Sequence, residues 1–294
     1  MTGQLVILCG LAFEHADTHV LGNALLLAKD LGARLRGIHA MDLGARPDAE
    51  ALAQSEAARS MVQKMDERIA QAKAELDGIQ TRYATFGVPM ELGIVEGRPY
   101  EALAATSKAM TSAGEAVVLV VGSGRMQGTL LERILGSTTD QLLRQTDCPV
   151  LVVPHAAHDA SHAGGVTKSL REGTWLVAID GSDPSARALA LAASWAEPMQ
   201  ARLAAVHASS DVKAPQAMRE FLVAQPSPLV RALADAVHVV EDVPDAAISN
   251  EATATNAALV VLGSHGRTGI ARAFLGSVAA DVIRKATVPV LCVR

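Results

Sequence analysis

The chain is written twice, and this repeat restricts its possible folds more than any other feature. Pro149-Val-Leu-Val-Val153 returns as Pro289-Val-Leu-Cys-Val293, an offset of 140, and Gly136-Ser137 returns as Gly276-Ser277 at the same offset. Gly122-Ser123 matches Gly263-Ser264 one register step away. Ala33-Arg-Leu-Arg-Gly-Ile-His39 is echoed by Ala201-Arg-Leu-Ala-Ala-Val-His207, and Val95-Glu96 with Pro99 by Val240-Glu241 with Pro244. Matches that keep one order mark a repeated structural unit. The 294 residues also suit two domains, each with its own core. The expected division is a first domain over 1–154, a linker over 155–173 and a second domain over 174–294.

Each copy alternates strands with helices. Apolar runs predict strands near 4–10, 33–40, 91–96, 116–122 and 149–153, then near 174–180, 202–208, 236–241, 257–263 and 289–293. Helices fall near 17–31, 48–77, 99–110 and 137–146. In the second half they begin at Pro184, capped by Ser182 or Asp183, and near 215, 244 and 277. Over 48–77, Ala58, Met61, Val62, Met65, Ile69, Ala72 and Leu76 recur at helical spacing and predict one apolar face. From His39 to Gly122 is 83 positions, from His207 to Gly263 only 56. With Pro215, Pro226 and Pro228 in the shorter stretch, its second helix is expected to be short or irregular. The fold class is therefore α/β: two tandem doubly wound domains, each on a five-stranded parallel sheet with right-handed crossovers. Half the residues are apolar and 3% aromatic, so the cores are aliphatic, as sheets covered on both faces require.

Charge and cysteine usage exclude several function classes. A net charge of −5 with no basic run argues against a nucleic-acid partner. Cys9, Cys148 and Cys292 lack CxxC spacing and read as reduced core thiols of a cytoplasmic protein. No stretch approaches the ~20 apolar residues of a membrane span. Leu5–Gly10 reads as a strand, since a signal segment would need a basic start and a longer apolar run. His155, His158 and His162 lie in the linker without a carboxylate or cysteine cluster, which makes them linker polarity rather than a metal site.

Chemistry concentrates between Gly263 and Ser277. An apolar run ends at Gly263, Gly266 follows, a loop with Arg267 and Arg272 intervenes, and Gly276-Ser277 opens a helix. Glycine lets the backbone approach a ligand, and the first N–H groups of a helix favour an anion. Asp180 ends its strand before Gly181, so its carboxylate is expected in the crevice outside the strand ends, or alternatively at a helix cap. Ser277 reads as an N-cap that also suits phosphate. Arg267 and Arg272 suit either solvent or ligand. His265 reads as a pocket wall, and His39 and His207, at matching strand ends, as positioning residues.

Gly263-x2-Gly266-x9-Gly276-Ser277, together with Asp180 and the two Pro-Val-Leu-x-Val strands, resembles the nucleotide-binding pattern of the universal stress protein family. The resemblance covers nearly the whole chain. It implies Rossmann-like domains of the adenine nucleotide alpha hydrolase-like kind, with ATP, with or without Mg2+, in the second half. It places Asp180 toward adenosine and Ala208 at the base, with Ala178 and Ile179 among the binding residues. Leu262, Gly263, His265 and Gly266 would lie around ribose and inner phosphates, and Gly276, Ser277, Val278 and Ala279 at the phosphates, with Arg267 also among the binding residues. Ala279 departs from the frequent Thr or Ser, and Asp242 stands where Gly is common. The implied protein is an ATP-binding stress-response module with a regulatory protein partner. It would be a homodimer whose two halves pair through their closing strands, with no membrane or nucleic-acid partner. The alternatives are a slow ATP hydrolase or other ATP-using enzyme, and a ligand-free scaffold.

The first copy lacks parts of this site. Cys9-Gly10 is aligned with Asp180-Gly181, so the carboxylate is missing. Its glycine loop is one residue longer and carries Glu132, while Ser137-Thr-Thr-Asp140 reads as a capping box. This half is expected to bind nucleotide weakly or not at all.

Overall fold

The computed structural model describes residues 4–13, 17–124, 135–154, 170–266 and 275–294. The first half runs β1 (Leu5–Gly10), α1 (Asp17–Leu31), β2 (Arg34–Met41), α2 (Ala49–Gln54), α3 (Glu56–Tyr83), β3 (Met90–Glu96), α4 (Pro99–Ser112), β4 (Ala116–Gly122), α5 (Ser137–Gln145) and β5 (Val150–Val153). The second runs β6 (Thr174–Ala178), α6 (Asp183–Met199), β7 (Arg202–Ala208), α7 (Ala214–Val223), α8 (Pro228–Arg231), β8 (His238–Val240), α9 (Pro244–Ala254), β9 (Ala257–Gly263), α10 (Ser277–Lys285) and β10 (Val290–Val293).

The strands form where apolar runs are continuous rather than alternating. In β4, Val117 to Val121 are all buried, because helices cover both faces of the sheet. The strand order is β3-β2-β1-β4-β5-β10-β9-β6-β7-β8. Each half is a five-stranded parallel sheet, and β5 meets β10 antiparallel, with Leu151 opposite Leu291. The closing strands thus pair within one chain as expected, which uses up the edges they would otherwise expose. Strand order reverses between β1 and β4 and between β6 and β9, which sets one crevice at the carboxyl ends of each half.

Polar ties reinforce the junction. Arg294, directly after β10, donates to the carbonyls of Arg144 and Thr146 at the end of α5, the latter at 3.0 Å. Arg187 of α6 donates to the Arg294 carbonyl at 2.6 Å. A cation there satisfies the last carbonyls of a helix and opposes its dipole. Arg294→Ala is expected to lower the denaturant midpoint, at a cost of about 1–3 kcal/mol. An unchanged midpoint in urea would remove the tie from the account.

Three boundaries depart from the sequence reading. The helix expected over 48–77 is two helices. Ser55 ends α2 and caps α3, its Oγ accepting from Ala58 N at 3.2 Å, and α3 continues to Tyr83. Its buried face is Met65, Ala72 and Leu76, whereas Met61 is 43% exposed. The first strand of the second half stops at Ala178, because Gly181 (φ +79) turns the chain and Ser182 bonds back to Asp180. The expected irregularity of the shorter half appears as the ten-residue α7 and the four-residue α8, with Pro226 between them and Pro228 opening α8.

No disulfide joins Cys9, Cys148 and Cys292. Burial pushes the Cys148 thiol up to about 11, partly offset by hydrogen bonds to Ser107 and Thr146, and the Cys292 thiol up to about 12. Both stay protonated and poorly nucleophilic at neutral pH. Among the described residues no helix is long and apolar enough to cross a membrane, and no cluster of His, Cys, Asp or Glu has the makings of a metal site. The linker histidines lie outside the described residues.

Candidate functional site

In the second half's crevice is a cavity of about 250 Å³. Ala178, Ile179 and Asp180 enter from the end of β6, Ala208 from β7, Leu262, Gly263, His265 and Gly266 from β9 and its turn, and Gly276, Ser277, Val278 and Ala279 from the start of α10. Every site residue expected from the sequence lines it except Arg267, which with Arg272 lies outside the described residues.

Close backbone approach builds this cavity. A Cβ at position 263 would lie 2.8 Å from Pro184 Cβ, so only glycine lets β9 end against the first turn of α6. A Cβ at 266 would lie 2.9 Å from Asp180 Oδ2. The carboxylate therefore reaches across the crevice onto the glycine turn. Gly276 N donates to Ser264 O at 2.9 Å, and Ser264 N to Val293 O at 2.8 Å, which fixes the start of α10 beside the end of β9.

Asp180 unites the two roles that its position suggests. Its Oδ1 accepts from Ser182 N (3.0 Å) and Ser182 Oγ (2.5 Å), and Ser182 Oγ accepts from Ser185 N as the cap of α6. One oxygen thus buttresses the helix cap, and the other faces Gly266. His207 is buried, and its Nδ1 donates to the Ile179 carbonyl at 2.7 Å, which fixes the ring's tautomer and the turn leading to Asp180. His265 Nδ1 is hydrogen-bonded to Ser264 Oγ at 2.7 Å.

The helix starts correct two expectations. Ser277 is not the cap of α10. Gly276 holds that position and, having no side chain, makes no side-chain cap bond, while its N–H is committed to the β9 turn. The capping box at Ser137 is likewise absent: Gly136 is the cap of α5, and Asp140 pairs with Arg144 at 2.8 Å. Gly276, the exposed Ser277 and Val278 thus bring to the cavity a helix start without a side-chain cap bond, and helix starts in general favour anions.

Sheet register also corrects the alignment of the halves. Cys9 lies beside Gly37 as Val177 lies beside Ala205, and Leu11 N donates to Ile38 O as Ile179 N does to Val206 O. His39 Nδ1 donates to Leu11 O, the counterpart of the His207 bond, and each spans 28 residues. The partner of Asp180 is therefore Ala12, not Cys9, and the partner of Gly181 is Phe13, stacked 3.9 Å from the His39 ring. The missing carboxylate remains missing. The first half's cavity, about 710 Å³, keeps the glycine closure, Gly136 N donating to Ser123 O at 3.0 Å. Its described lining contains histidines but no carboxylate. Thr139, at the place of Ala279, donates to Gly122 O at 2.7 Å, so the hydroxyl lost at Ala279 is one that ties helix to strand in the first half. Glu132 lies outside the described residues.

The family model described as the universal stress protein family matches residues 6–154 and 174–294. The chain belongs to the universal stress protein family. Universal stress protein Rv2005c of Mycobacterium tuberculosis is 33% identical over 192 residues, which cover 61% of this chain and 62% of that protein. Rv2623 of the same species is 33% identical over 202 residues, with the same coverage of both chains. The chain thus spans a little over three fifths of the length of these curated relatives. Among solved structures, a universal stress protein from Archaeoglobus fulgidus superposes with a TM-score of 0.68 at 22% identity, covering 98% of this chain and 96% of its own. A putative universal stress protein from Pseudomonas aeruginosa reaches 0.63 at 17% identity, covering 99% and 93%. At these identities the family fold is what is shared. Within that fold, Ser185, Val206, Pro244, Ile248 and Ser264 also line the cavity and were not singled out from sequence. Pro244 carried a signal, since it repeats Pro99, which lines the first half's cavity.

Proposed function

We propose that this universal stress protein binds ATP in its second half and acts as a nucleotide-responsive regulatory module in a stress response. The single observation that carries the reading is the placement of Asp180 Oδ2 across Gly266 from an α10 start that has no side-chain cap. A carboxylate accepts from ribose hydroxyls, and uncapped helical N–H groups with a glycine closure receive phosphate. Adenosine then lies toward Ala178, Ile179, Asp180 and Ala208, and the phosphates lie at Gly276 and Ser277.

In this reading residues 1–154 form a domain that binds nucleotide weakly or not at all, 155–173 a linker, and 174–294 the binding domain. The protein is a cytoplasmic homodimer whose ATP-bound state is read by a protein partner. Native mass spectrometry of protein purified without added nucleotide tests the reading. A bound adenylate, or uptake of ATP on addition, is expected. A bare chain that takes up no ATP at millimolar concentration would leave a ligand-free scaffold.

A further inference from the structure

With β5 and β10 paired to each other, the open edges of the sheet are β3 and β8. Natural sheets blunt open edges by keeping them short or by placing lysine, proline or a bulge there. β8 follows this rule: it has three residues, and the chain bends immediately after it, Asp242 N donating to Val240 O. β3 does not. It has seven residues, Met-Glu-Leu-Gly-Ile-Val-Glu, without lysine or proline, pairs with β2 along its whole length in unbroken register, and none of the seven is buried.

Its hydrogen-bonding pattern can be read residue by residue. Leu35 N donates to Pro89 O and Gly97 N to Met41 O, so odd-numbered residues face β2 and the even ones, Met90, Leu92, Ile94 and Glu96, present N–H and C=O groups outward. There the Met90 carbonyl accepts from Gln80 Nε2 of α3 at 3.4 Å, a bond that an added strand has to replace. Antiparallel pairing of two such edges needs even residues opposite even ones. The register that pairs all seven residues has its two-fold axis at Gly93. It sets Leu92 opposite Ile94, Met90 opposite Glu96, Glu91 opposite Val95, and Gly93 opposite itself. No glutamate meets a glutamate. Glu91 already faces Arg34 (3.8 Å) and Arg36 (4.0 Å) in its own chain, so its charge is balanced. Nothing lies within 4 Å of a Cβ at Gly93, which leaves room for close approach at the axis. Met90, Leu92 and Ile94 are partly buried against the core of their own half, and the Leu92–Ile94 contacts would carry that apolar layer across the axis.

We propose that β3 is the surface on which a second copy of this chain adds, antiparallel about Gly93, joining two ten-stranded sheets edge to edge. This names the contact of the homodimer proposed above, and it stands or falls independently of ATP binding. Light scattering after gel filtration of the full chain is expected to show a concentration-dependent dimer. Ile94→Pro, which removes an outward N–H, should leave a folded monomer that still binds ATP.

Cross-linking supplies a second readout if that variant fails to fold. Residues at a non-hydrogen-bonded antiparallel pair have Cα atoms about 4.5 Å apart, within disulfide range. Gly93→Cys should therefore cross-link on mild oxidation at least about tenfold faster than Glu91→Cys, whose opposite number is Val95. A wild-type monomer at every concentration, a dimer that persists in folded Ile94→Pro, or equal cross-linking of the two cysteine variants would overturn the proposal.

Discussion

Asp180→Ala is expected to weaken ATP binding by about ten- to a hundredfold, measured by calorimetric titration of the full chain. A hydrogen bond to a charged group is worth about 1.5–3 kcal/mol, and each ~1.4 kcal/mol is tenfold in affinity. The alanine also removes the Oδ1 acceptor that holds Ser182 N and Oγ, so part of the loss would come from a loosened start of α6. Asp180→Asn separates the two. Its amide oxygen can still accept from Ser182, while the negative charge facing Gly266 is gone. If the carboxylate contacts ribose, Asn loses most of what Ala loses and keeps the wild-type melting temperature. Asn binding like wild type would assign Asp180 to the helix cap alone.

The opposite experiment builds the missing group into the first half. Sheet register places Ala12 at the Asp180 position and Phe13 at that of Gly181. Ala12 is exposed, so a carboxylate enters without desolvation. Phe13 has to change as well, because Gly181 turns with φ +79, a conformation that side chains resist, and because Phe13 stacks on His39. Ala12→Asp with Phe13→Gly is therefore expected to add a second ATP per chain, bound at least about tenfold more tightly than by the parent first half. Ala12→Asp alone should recover little. No second equivalent from the double variant would mean that the first half lost its site elsewhere, in the longer loop that follows Gly124.

The sequence showed the sheet more clearly than the site. Repeated apolar runs and paired landmarks placed every strand near its observed position, because a strand buried on both faces leaves little else for the residues to be. Ser55 shows what pattern alone misses: the apolar stripe begins only at Ala58 and does not mark the break before it, where the Ser55 side chain caps a new helix. Alignment by the shared glycine put Cys9 opposite Asp180, although the Ala33–His39 echo already implied Ala12, since both histidines bond a carbonyl at the same separation. Ser277 looked like a cap by residue type, yet backbone closure gave that position to Gly276. The double use of Asp180 was also out of reach, because the direction of its carboxylate depends on the turn at Gly181. The open edge of β3 follows only from strand order, which no local pattern contains.

Counting bound nucleotide tests the central asymmetry most directly. Equilibrium dialysis with labelled ATP at saturating concentration should give one molecule per wild-type chain. Two per chain, or none, would contradict a binding site confined to the half that carries Asp180.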